Sequence, residues 1–159
     1  EGTLGKEHLL ELLTLVNKSK YVFVLETNGI TLGHDIEYVR SLSKFKNLHV
    51  RVSIKGTNKK EYNTLTGAES ISYDLPFQAL KNLIDFNISC NACLMISFST
   101  QKNINEAKNK LSNVWPGLLK SLELEHITLF PKVASRLKNA NLMPRKFRHR
   151  GNIINFKER

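Results

Sequence analysis

Three stretches end in residue types that could do chemistry. YVFVLETNG, residues 21 to 29, is an apolar run that stops at Glu26, Thr27, Asn28 and Gly29. LHVRVSIKGT, residues 48 to 57, turns polar at Ser53 and Lys55. NACLMISFST ends in Ser97, Ser99 and Thr100, and Thr128 and Lys132 stand around a fourth such run. A carboxylate in a half-buried site suits an ammonium group or a cation, and a lysine suits a carboxylate or a phosphate. The zwitterionic end of an amino acid would satisfy Glu26 and Lys55 together. Alternatively the two side chains pair with each other, and charge alone leaves both readings open.

Elements of alternating type must position these ends. KEHLLELLTLVN carries Leu9, Leu10, Leu12, Leu13 and Val16 near helical spacing, and a short connection leads to the strand YVFVL. HDIEYVRSLSKF repeats the helix, with Ile36, Val39, Leu42 and Phe45 on one side, and LHVRVSI repeats the strand. Asp74 is predicted to cap the helix in DLPFQALKNLIDF, with Pro76 in its first turn. NACLMISFS follows as a strand, INEAKNKLSNV as a helix, LELEHITLF as a strand, and Pro131 opens a last helix in PKVASRLKNA. The pattern predicts an α/β protein of about four parallel-stranded β/α units, as an open doubly wound sheet or a barrel. In either, ligands sit at the carboxyl ends of the strands.

At 159 residues the chain is about one domain, and its 41% hydrophobic and 24% charged content is that of a soluble globular protein. No apolar run reaches the roughly 20 residues of a membrane span. No signal peptide is visible, and an opening at Glu1 reads as processed or truncated. Cys90 and Cys93 have C-x-x-C spacing, but a zinc or iron-sulfur site takes about four ligands, and the spacing also suits small residues opening a strand. So few cysteines exclude a disulfide scaffold and favour the cytoplasm. The five histidines show no metal-binding pair on one helix, and the glycines form no phosphate loop. Half the net charge of +10 lies in PRKFRHRGNIINFKER, which could attract nucleic acid or phosphate ligands, with Phe147 and Phe156 for stacking, or be a solvated basic tail.

LETNGITLG followed by VRVSIKGT resembles the radical S-adenosylmethionine superfamily, in particular the branch of the activases of glycyl radical enzymes. That branch ends one barrel strand in aspartate-threonine-asparagine-glycine and the next in aspartate-any-lysine; here the residues are Glu26-Thr27-Asn28-Gly29 and Ser53-Ile54-Lys55. The start, EGTLGKEHLLELL, looks like the family's conserved glutamate and the helix after it, with Glu1 as that glutamate and Gly2 where proline is common. The resemblance implies that Glu1 and Glu26 face the amino group of S-adenosylmethionine, that Lys55 faces its carboxylate, and that Thr27, Asn28 and Ser53 line the same pocket. In some activases the counterparts of Glu26, Thr27 and Ser53 also hold a monovalent cation, which serine at position 53 puts in question.

The family's C-x-x-x-C-x-x-C loop, which holds a 4Fe-4S cluster, has no counterpart in this sequence. Residues 1–142 therefore resemble the last four β/α units of an incomplete six-strand partial barrel of the TIM type, followed by the basic tail 143–159. The intact protein would cleave S-adenosylmethionine reductively to a 5′-deoxyadenosyl radical, with missing barrel units or a partner covering the open sheet edge. The substrate, a protein or a phosphate-bearing molecule among the possibilities, has no signature, and no catalytic residue or metal ligand is assigned. Two other readings stand: a Schiff-base enzyme using Lys55, and a non-catalytic half-barrel whose basic tail binds RNA or an acidic partner.

Overall fold

The alternation in LHVRVSIK sets the architecture. In the computed structural model, which describes residues 1–149 and 151–155, Leu48, Val50, Val52 and Ile54 of β2 (Leu48–Lys55) are buried. His49, Arg51, Ser53 and Lys55 on its other side are partly exposed. This strand is one of four in a parallel sheet ordered β1 (Phe23–Thr27), β2, β3 (Ser89–Met95) and β4 (Glu123–Glu125). Strand order follows chain order without the reversal of a doubly wound sheet. Right-handed crossovers that all step the same way stack their helices on one face.

That face holds the core. Leu25, Val50, Val52, Ile54, Ala92 and Leu94 of the strands meet Leu32, Tyr38, Leu42, Leu80, Leu83 and Leu111 of the helices. Burial of each large aliphatic side chain contributes about 1.5–3 kcal/mol. The helices are α1 (Lys6–Val16), α2 (Ile30–His34), α3 (Ile36–Leu42), α4 (Lys59–Thr66), α5 (Leu75–Asp85), α6 (Gln101–Val114) and α7 (Pro131–Asn139). The starts of α3, α4 and α6 are set by side chains that satisfy free amide groups. The Asp35 carboxylate accepts from the Tyr38 N–H at 2.8 Å, Asn58 Oδ1 from the Glu61 N–H at 2.9 Å, and Thr100 Oγ1 from the Asn103 N–H at 3.2 Å.

The α/β class and the alternation of parallel strands with helices agree with the sequence reading. Several details differ. The single helix predicted in HDIEYVRSLSKF is preceded by a separate short one, α2, because Gly29 (φ 77°) turns the chain and Asn28 Oδ1 accepts from the Ile30 N–H at 2.9 Å. Gly33 then lets α2 lie directly on α5, where a Cβ would meet the Leu75 carbonyl oxygen at 2.2 Å. Asp74 precedes α5 but does not cap it with its side chain, which binds Lys59 at 2.7 Å and also Lys110. The fourth strand keeps only Glu123–Glu125 of LELEHITLF, since beyond it the Ile127 N–H donates to Ser97 Oγ at 2.7 Å.

The basic segment is not a free tail over its described part. It forms an antiparallel hairpin of β5 (Lys146–His149) and β6 (Asn152–Asn155). The Arg145 and Lys146 N–H groups donate to the Ser97 carbonyl at 2.7 and 3.1 Å, and the Arg148 N–H donates to Ile127 at 2.8 Å. Arg150, Phe156, Lys157, Glu158 and Arg159 of that reading lie outside the described residues. Among the described residues no helix is long and apolar enough to cross a membrane.

Candidate functional site

All-parallel sheets normally have both faces covered by apolar packing. Here the face opposite the core is polar. Parallel register aligns Glu26 with Arg51, Ser53 with Cys93 and Glu123, and Lys55 with Met95 and Glu125. Arg51 is the hub: it forms ion pairs with Glu26, with Glu123 at 2.6 Å and with Glu125 at 3.7 Å, its side chain only 26% exposed. Its hydrogen bond to Glu123, followed by that of Asn91, holds the Glu123 carboxyl below the ordinary carboxylate range. The same bond raises the Arg51 guanidinium further.

Glu26 and Lys55 therefore do not pair with each other. Glu26 takes Arg51, while Lys55 has Glu125 at a loose 3.9 Å and remains 41% exposed. Glu26, Ser53, Arg51, Cys93 and Glu125 together line a depression of about 20 Å³, enough for about one water molecule. Lys55 also lines a separate, mostly apolar cavity of about 190 Å³, walled by Leu65, Met95, Phe98, Ile127, Leu137 and Leu142.

Glu1, Thr27 and Asn28 form a second group at the end of β1. One Glu1 oxygen accepts from Thr27 Oγ1 at 2.8 Å and from Thr3 Oγ1 at 2.7 Å, and the other accepts from the Asn28 N–H at 2.9 Å. Partial burial works against the charge of Glu1, but these hydrogen bonds outweigh it and lower its pKa. Thr27 alternates with Glu26 and so falls on the core side of the pleat, 3% exposed, its Oγ1 accepting from the Gly29 N–H at 3.1 Å. The six candidate residues thus divide: Glu26, Ser53 and Lys55 lie on the open face, Thr27 is turned toward the helices, and Glu1 ties the tip of β1 together through Thr27 and Asn28.

Four of the other strand-end polar residues, Ser97, Ser99, Thr100 and Thr128, have structural partners. Ser97 receives the Ile127 N–H, Ser99 Oγ donates to Glu61 at 2.7 Å, and Thr100 caps α6. Thr128 bridges to Arg148 in the hairpin. Arg51, Glu123 and Glu125 were not picked out by strand-end reasoning. The signal available was the period of two itself, which puts Arg51 on the same side as Ser53 and Lys55.

The two cysteines do not fit an iron-sulfur cluster. Three positions apart in a strand, they point to opposite faces of β3, Cys90 toward the core side and Cys93 toward Arg51. Burial pushes the Cys90 thiol up to about 11, away from the thiolate that a metal requires. Among the described residues no group of three or more His, Cys, Asp or Glu could hold a metal ion.

In comparisons with known proteins the chain gives no significant match to any family model, curated protein or solved structure. The likeness to the radical S-adenosylmethionine enzymes accordingly rests on the short motifs alone.

Proposed function

We propose that this chain forms part of a radical S-adenosylmethionine enzyme, supplying β/α units of a partial barrel that hold the amino acid end of the cofactor. The observation that carries the reading is the open face of the sheet. A one-directional parallel sheet with its helices on one side suits part of a barrel, in which the polar side would face the interior. Its carboxyl end presents a loosely partnered lysine beside a cavity. Lys55 binds the carboxylate of the methionine moiety, Glu26 stands on the same face for its amino group, and Glu1 holds the turn at Thr27 and Asn28 in place.

In the resembled enzymes an iron-sulfur cluster would supply the electron for cleaving S-adenosylmethionine. The cysteines of this sheet do not suit it, so in the proposed enzyme its ligands would lie outside this sheet. The contribution of this chain is binding and orientation.

Equilibrium binding of S-adenosylmethionine and of its decarboxylated analogue tests the reading. A charge-assisted hydrogen bond contributes about 1.5–3 kcal/mol, so Lys55→Met should weaken binding of the cofactor roughly 10- to 150-fold. The variant should bind the decarboxylated analogue as well as the unaltered protein does. Equal losses for both ligands, or no saturable binding by the unaltered protein, would contradict it.

A further inference from the structure

The opposite end of the sheet carries a hydrogen-bonded chain that the proposed function does not use. His49, the second residue of β2, stands beside Ser89, the first residue of β3, and the two are register partners. His49 Nδ1 lies 2.8 Å from Ser89 Oγ, and His49 Nε2 lies 2.9 Å from Asn91 Oδ1. Asn91 is 5% exposed. Its Nδ2 donates to Glu123 Oε1 at 2.8 Å and to the Ser121 carbonyl at 3.3 Å.

Those last two contacts decide where the protons are. The Glu123 carboxylate and the Ser121 carbonyl only accept, so the amide nitrogen must face them, with Cys93 Sγ a further contact at 3.7 Å, and Oδ1 must face the histidine. An amide oxygen only accepts, so Nε2 of the neutral imidazole carries the hydrogen. Nδ1 is then left with its lone pair toward Ser89, whose hydroxyl donates to it. The order is hydroxyl, base and orienting group, the arrangement that activates a serine nucleophile. Ser89 is exposed, so the hydroxyl is reachable. It also helps to line a cleft of about 430 Å³ with Ile84, Ile88, Cys90, Trp115 and Asn87.

We infer that Ser89, with His49 as its base and Asn91 holding the ring, is a second reactive site that takes small activated esters with an apolar acyl group. In the first step Ser89 Oγ attacks the ester carbonyl carbon while its proton passes to His49 Nδ1. The tetrahedral adduct expels the alcohol, which leaves with that proton, and an acyl-serine remains. Water then attacks the acyl carbon, gives its proton to Nδ1, and releases the acid as the Ser89 hydroxyl is re-formed. Ile84, Ile88 and Trp115 offer the acyl group an apolar wall. Asn87, whose side-chain amide makes no hydrogen bond within the described residues, supplies a donor for the carbonyl oxygen.

This site is separate from Lys55, which lies at the far end of β2, so either can fail without the other. The test uses the whole chain with p-nitrophenyl acetate and with a fluorophosphonate probe, the modified residue being located by peptide mass mapping. Expected are a burst of nitrophenolate and modification of Ser89. Ser89→Ala, at an exposed position, should lose both while keeping its circular dichroism spectrum and melting temperature. His49→Gln retains a polar group of similar reach but no base, and should slow modification about 100-fold or more. Modification confined to lysines or tyrosines, or a rate unchanged in His49→Gln, would overturn the inference.

Discussion

Arg51 holds the polar face together because it brings one positive charge to three carboxylates on two other strands. Without it, Glu26, Glu123 and Glu125 would lose the cation they share. Arg51→Met is expected to lower stability by about 1–2 kcal/mol at pH 7, a value kept small by the partial exposure of the group. The effect should depend on pH with a definite sign. Glu123 has its folded pKa depressed, so its contribution is full above the ordinary glutamate value of about 4.3 and fades as pH falls through the lower folded value. Urea midpoints of the two proteins should therefore differ at pH 7 and draw together as pH falls below the ordinary glutamate range. A difference that persisted at low pH would assign the loss to packing of the arginine stem instead.

At the scale of elements, the close approach of α2 and α5 depends on one missing side chain. Gly33→Ala places a methyl group 2.2 Å from the Leu75 carbonyl oxygen, a backbone atom that cannot swing aside. The helices must separate, at a cost of about 1–3 kcal/mol. A melting temperature equal to that of the unaltered protein would show that they slide apart freely. This contact also marks where sequence reading stops. The strands were legible because period-two burial and β-branched residues are local signals, and Val50, Val52 and Ile54 lie in the core as that period requires. Helix α2 has five residues and depends on a positive-φ glycine, and α4, in KKEYNTLT, is mostly polar, so neither carries a strong apolar period. Asp74 had the type and place of a cap, but two lysines distant in sequence compete for it.

For the whole molecule, the legible part was the direction of the chain through β/α units, and the obscure part was which polar residues would meet. Glu26 and Lys55 were natural partners by charge. Parallel register, which no short stretch encodes, set Arg51 opposite Glu26 and left Lys55 four residues further along β2. The same pleat put adjacent Glu26 and Thr27 on different faces. The outcome is a sheet with one apolar, helix-covered face and one charged face, and the proposed cofactor end lies where β1 and β2 stop. Hydrogen–deuterium exchange with and without S-adenosylmethionine reads that location most directly. Protection is expected at residues 26–29 and 53–57. Saturating cofactor that left both segments unprotected, or protected only the hairpin of β5 and β6, would contradict the account.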